Sequence, residues 1–176
     1  MSSSALARAV RDAIQGLATF RDSQVTAEVD ERAPSRAGDL HVIVWPGGTD
    51  EDDTNETSGC VLDKVFGINV SIAMRSPRKA RDHQGEFWIQ ATDSFDTYAA
   101  AIVAAIHYDY AINTTANATI LSESGSAEGF IEPLRCTGIG PIREAPPDIF
   151  ADDPRSRRVA FIRTITFRGA RRIQSL

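Results

Sequence analysis

Apolar residues recur every third or fourth position at the start of this chain and every second position in its middle. Leu6, Val10, Ile14 and Leu17 lie at helical spacing, with Arg8, Arg11, Asp12 and Gln15 on the other faces. Ser2, Ser3 and Ser4 offer N-cap oxygens, so the pattern predicts an amphipathic helix ending near Phe20. Val25, Ala27 and Val29 alternate with Thr26, Glu28 and Asp30, the signature of a half-exposed strand. After a turn over Ala33 to Gly38, Leu40 to Trp45 reads as a more deeply buried strand. Pro46, Gly47 and Gly48 are expected to stop it.

Phe66, Ile68, Val70, Ile72 and Met74 give the longest clean alternation so far, fitting a long antiparallel strand with one wet face. Phe87, Trp88 and Ile89 form a brief apolar run, read as a short strand. Thr92, Asp93 and Ser94 then signal a helix start. Phe95, Tyr98, Ala99, Ile102, Val103, Ile106 and Tyr110 follow at helical spacing. Asn113 to Ala118 is the expected end of that helix, and Ile120 to Gly129 the link after it. Phe130 to Cys136 suits an edge strand because it contains Pro133. Gly138 to Pro154 carries four prolines, which predicts an extended connection. Val159, Phe161, Ile165 and Phe167 mark a last long strand. Arg163 breaks into its apolar face and Ile162 into its polar one. The order predicts one α+β domain over residues 1–176: a mostly antiparallel sheet with two main helices packed on one face.

Charge is the second layer. The net charge of −5 argues against general nucleic-acid binding. Its distribution is uneven, however. The segment 49–58 has no apolar residue and holds Asp50, Glu51, Asp52, Asp53 and Glu56, so it reads as an acidic loop. Arg155 to Arg172 holds seven arginines and no acid, and 169–176 reads as a basic arm reaching away from the core. The first residues carry charges within the apolar pattern and are not expected to be a signal peptide. No apolar run approaches the ~20 residues of a membrane helix. A cytoplasmic setting follows as the expectation, with Cys60 and Cys136 as free thiols.

Candidate chemistry is sparse. Counted from Asp50, a calcium loop would need Gly and Glu where Asn55 and Val61 stand. His41, His83 and His107 show no metal-binding spacing. Cys60 or Cys136 with a histidine is a pairing that any such composition permits. Gly138-Ile139-Gly140-Pro141 lacks the third glycine of a nucleotide loop and reads as a turn. Trp45 and Trp88 read as core or interface aromatics. No catalytic, cofactor or metal residue is therefore assigned, and no enzyme is expected. The acids can repel polyanions by charge density alone. Arg163, Arg168, Arg171 and Arg172 suit pairing with acids of a neighbouring subunit, or edge protection by charge.

The order of these pieces resembles the tail-terminator (tail-completion) and neck proteins of long-tailed bacteriophages. The resemblance lies in the opening helix Ala5 to Phe20, the strand Leu40 to Trp45 running into Pro-Gly-Gly, and the strand Phe66 to Arg75. The Asp-Ser-Phe-Asp-Thr-Tyr helix start and the terminal strand Val159 to Phe167 complete it. It spans most of the chain through pattern and order, with no invariant motif. It implies a homo-oligomeric ring, commonly a hexamer, in the tail or neck of a virion assembled in the host cytoplasm. Such a ring caps the tail-tube protein and docks to the head connector, while DNA passes through without specific binding. The acidic segment suits a lumen wall and the arginines suit a subunit contact. The alternatives are a head-completion or connector adaptor, then a small soluble binding domain or hydrolase.

Overall fold

A computed structural model describes residues 2–33, 39–57, 61–79, 84–125, 129–145 and 158–174. The elements run α1 (Ser2–Gln15), a 3-10 turn (Asp22–Gln24), β1 (Val25–Ala27), β2 (Leu40–Thr57), β3 (Val61–Lys79), α2 (Gln84–Ile106) and α3 (Tyr110–Ser124). Then come β4 (Gly129–Phe130), β5 (Arg135–Ile139), β6 (Arg143–Glu144) and β7 (Arg158–Gln174). The sheet order is β1-β2-β3-β7-β4, with β5 and β6 also pairing β7. Of the described strand pairings β1–β2 is parallel and the others antiparallel, so the fold is α+β with a mostly antiparallel sheet.

The alternation read from the sequence sets the two faces. Val42 and Val44, then Phe66, Ile68, Val70 and Ile72, then Ile165 and Phe167 are buried in one cluster. Leu6, Val10 and Ile14 of α1, Phe95 and Ile102 of α2, and Ile112, Ala116 and Ile120 of α3 complete that cluster. Val70 sits opposite Ile165 in the β3–β7 ladder. Each such buried side chain contributes roughly 1.5–3 kcal/mol. On the other face Ile43, Ala73 and Ile162 form a smaller cluster with Ala33 and Ala145. Ile162 on a polar-looking position is thus explained: it belongs to this second core.

Several expectations need correction. α1 ends at Gln15 rather than near Phe20. There the Gln15 amide turns back to donate to the carbonyls of Asp22 and Val25, at 3.0 and 3.1 Å. Phe20 still reaches the core, its ring 5.3 Å from Tyr98.

Phe87, Trp88 and Ile89 are helical, because α2 begins at Gln84 and runs through the Thr-Asp-Ser cap signal. Those three polar residues sit mid-helix, where the preceding turn already satisfies the backbone N–H groups that a cap would serve.

Among the described residues there are three α-helices, not two. The segment read as helix end and link is α3, capped by Asp109, whose carboxylate accepts from the Ala111 N–H at 2.9 Å. Gly125 closes it at φ 65°, the left-handed position that glycine adopts without penalty. Hydroxyls of Thr114, Thr119 and Ser124 bond back to carbonyls one turn earlier, which absorbs their competition with the helix.

The acidic segment is strand, not loop. β2 continues past Pro46-Gly47-Gly48 through two irregularities. Pro46 faces Ile68 and Thr49 faces Phe66, so one extra residue is absorbed at the glycines. Backbones approach closely here: a Cβ on Gly47 would lie 3.1 Å from the Gly67 carbonyl carbon. Between Asp50, opposite Val65, and Asn55, opposite Asp63, β2 holds three more residues than β3. The acids are accommodated by a bulge in a strand that the hairpin partner keeps extended.

The segment 169–174 is not an arm. Gly169 to Gln174 lie in β7, paired with β3 from Phe66 to Val61. Arg171 and Arg172 pair with Phe130 and Gly129 of β4 on the other side. Pro133, lacking an N–H, divides the expected 130–136 strand into β4 and β5. The residues 34–38, 58–60, 80–83 and 146–157 lie outside the described residues. The predicted turn after Ala33, His83, Cys60 and most of the proline-rich connection fall there.

Candidate functional site

On the sheet face away from the helices, alternate residues of three strands bring polar groups together. Trp45 on β2, Asn69 and Ser71 on β3, and Thr164 and Thr166 on β7 share this face with the second core cluster. Glu31, on the segment after β1, lies over them. The Ser71 hydroxyl donates to Glu31 Oε1 at 2.6 Å, and the Thr164 hydroxyl donates to the same oxygen at 2.9 Å. Arg143 of β6 donates to Glu31 Oε2 at 2.7 Å. The Trp45 indole N–H donates to Ser71 Oγ at 3.0 Å. Each hydroxyl has a single proton, and both protons are aimed at Glu31. The 3.0 Å Ser71–Thr164 contact is therefore not a further bond.

Burial alone would raise the Glu31 pKa. Hydrogen bonds from Ser71, Arg143 and Thr164, with the Arg143 charge, outweigh it and hold the carboxyl below its ordinary value. Glu31 is an ionised, oriented acceptor. Its side chain is 20% exposed and that of Arg143 45% exposed. Beside this hub, Trp45, Asn69, Gly138, Gly140, Arg143 and Thr166 border an open groove of about 470 Å³.

His41 shares this face and is fully buried. Its Nε2 meets Thr26 Oγ1 at 3.0 Å, its Nδ1 has no hydrogen-bond partner, and burial lowers its pKa to about 4. His107 lies elsewhere, its Nδ1 accepting from the Cys136 N–H at 3.0 Å. Cys136 is a free, half-buried thiol. Its N–H bond holds β5 to the end of α2.

The sequence-predicted residues lie at other places. Asp50, Glu51, Asp52, Asp53 and Glu56 are on the far half of β2. Beyond the β1 pairing, which ends at Val44, no described strand pairs with the outer edge of β2. Arg163 is engaged within the subunit: it donates to the Gly140 carbonyl at 3.0 Å and pairs with Asp96 of α2. Arg171 is buried, its guanidinium carbon 5.7 Å from the Phe66 ring centre and 6.0 Å from that of Phe130. Arg168 and Arg172 are exposed, opposite Arg135 of β5 and Asp63 of β3 respectively.

The sequence reading did not single out Glu31, Asn69, Ser71, Arg143 or Thr164. Their one legible signal was the wet-face alternation, which assigns a face without saying which polar residues converge on it. No protein-family model matches the chain, and no curated protein matches it significantly in sequence.

Proposed function

We propose that this chain is a virion structural protein, a tail terminator or closely related neck protein. Copies of it would form a ring that caps the tail tube and meets the head connector. The observation that supports this best is the length of the β2–β3–β7 ladder. Val61 and Gln174 pair five steps beyond Phe66, roughly 17 Å further along the strands. The outer edge of β2 along that extension carries the five acids. An edge of this length is a surface for contact with a neighbouring chain, and its charge restricts which neighbour is accepted. Repeated around a ring, the same acids give a wall that repels phosphates, so DNA slides past without being held. Arg168 and Arg172, exposed on β7, are the arginines that suit a subunit contact in this arrangement.

Native mass spectrometry with electron microscopy tests the reading. A closed ring, commonly of six copies, is expected, and the ring is expected to halt the elongation of tail-tube protein when added during polymerisation. Changing Asp50, Glu51, Asp52, Asp53 and Glu56 to amides should preserve the ring and introduce salt-sensitive retention of duplex DNA. A monomer at high concentration, or a ring with Asp52 on its outer rim, would overturn the oligomer or the lumen assignment respectively.

A further inference from the structure

The groove beside Glu31 plays no part in ring closure or tube capping as proposed above, and it has the composition of a small-molecule site. Its volume of about 470 Å³ lies within the ~300–1,000 Å³ common for such sites. Among the described residues two charged side chains border it, Glu31 and Arg143, and they neutralise each other across 2.7 Å. An anion would compete with Glu31 for Arg143. A cation would compete with three donors already on Glu31. A neutral ligand meets neither penalty.

What remains open in the groove is hydrogen-bonding capacity. A carboxylate accepts about four bonds, and Glu31 takes three from its partners, which leaves acceptor capacity. Arg143 bonds Glu31 through one nitrogen, and its other donors have no partner within the described residues. The Asn69 amide and the Thr166 hydroxyl, both on the groove wall, are likewise unbonded among the described residues. Acceptor and donor thus stand side by side at Glu31–Arg143 and again within the Asn69 amide. Trp45 adds apolar ring surface, held in one orientation by its bond to Ser71. Gly138 leaves the opposite side open, since a Cβ there would meet nothing within 4 Å.

Adjacent donor–acceptor pairs beside a fixed aromatic ring, with no net charge, match a ring whose neighbouring hydroxyls both give and accept protons. We propose that the groove binds a neutral polyhydroxylated ring of monosaccharide size.

The probe is the Trp45 indole N–H resonance, assigned in the full chain by comparison with Trp88→Phe. It is titrated with methyl glucoside, methyl galactoside and N-acetylglucosamine, and in parallel with glucuronate and inorganic phosphate. Saturable movement with at least one neutral sugar is expected, with Kd on the order of 1 mM or below. Asn69→Ala and Thr166→Val lie outside the Glu31 hub and should keep the thermal midpoint while weakening binding at least tenfold. No movement with any neutral sugar overturns the proposal. So does movement with glucuronate or phosphate alone, which would make the groove an anion site. Movement that follows protein concentration instead of sugar also overturns it, because a second copy then fills the groove.

Discussion

Arg163 of β7 and Asp96 of α2 form an ion pair that crosses from the sheet to the helix layer. Arg163 interrupts an otherwise apolar strand face, between Phe161 and Ile165, at the point where that face passes beneath α2. Its Nε bond to the Gly140 carbonyl fixes the β5–β6 connection at the same time. The two partners are unequal: the Arg163 side chain is 18% exposed and that of Asp96 63%. Arg163→Ala should therefore cost about 1–3 kcal/mol, because it also strands a carbonyl. Asp96→Asn should cost under about 1 kcal/mol, as exposed partners do. Urea denaturation of the two variants reads the difference directly. Equal effects would show that the carbonyl bond contributes nothing.

The Glu31 hub joins the segment after β1 to β3, β6 and β7. Glu31→Gln keeps the shape and removes the charge, and should cost about 1.5–3 kcal/mol. Arg143→Gln should cost less, since Arg143 is solvated. The sign with pH follows from the lowered pKa of Glu31. Its contribution is present above the ordinary carboxyl value of 4.5 and is lost as pH falls through the folded value. A double-mutant cycle between Glu31 and Arg143, run near neutral pH and again in acid, should show coupling that vanishes in acid.

His41 works in a neighbouring pH range. Its folded pKa is about 4 against an ordinary 6.5, so between those values the unfolded chain binds more protons. Stability should fall as pH drops from 6.5 towards 4, by a total on the order of 3 kcal/mol. His41→Gln cannot take up this proton. The difference in unfolding free energy between wild type and variant should shrink or reverse over that range. A constant difference would show that His41 does not titrate there.

Truncation before Gly169 should be severe. It removes the β7 partners of Val61 to Phe66 and of both β4 residues. It also takes Arg171 from between Phe66 and Phe130. A large drop in melting temperature is expected, measured by circular dichroism. A chain that keeps its midpoint would mean that this stretch of β7 adds nothing to the sheet.

Most of the layer structure was legible, because period-two alternation on β3 and β7 and period-four spacing on α1 each name a buried face. What escaped notice did so for identifiable reasons. Ile112, Ala116 and Ile120 carry helical spacing, and Asp109 and Gly125 bracket them as caps. Yet Asn113-Thr114-Thr115 has low helix propensity, and tertiary packing overrode it. Pro46-Gly47-Gly48 stops most strands, but here pairing with β3 keeps the ladder going and a bulge takes up the extra residue. Acid density reads as loop because isolated charged segments stay solvated. In a hairpin, charges are admitted on an edge strand. The Glu31 hub draws on residues 40 to 133 positions apart, and no local spacing records such convergence.

The two ends of this sheet are finished by different means. At the β4 end, Asn117 of α3 imitates a strand: its amide donates to the Phe130 carbonyl at 3.0 Å and accepts from the Phe130 N–H at 2.7 Å. A side chain has used the hydrogen-bonding groups that an incoming backbone would need there. Along the far half of β2 no described strand takes up the backbone, and the acids carried there repel a like-charged rim. That guard is reversible. Once the carboxylates are protonated, the rim keeps its hydrogen-bonding template and loses what deters an identical rim from zipping onto it. Acid is thus the condition under which the molecule gains a sticky margin, and the gain is confined to one side of the sheet.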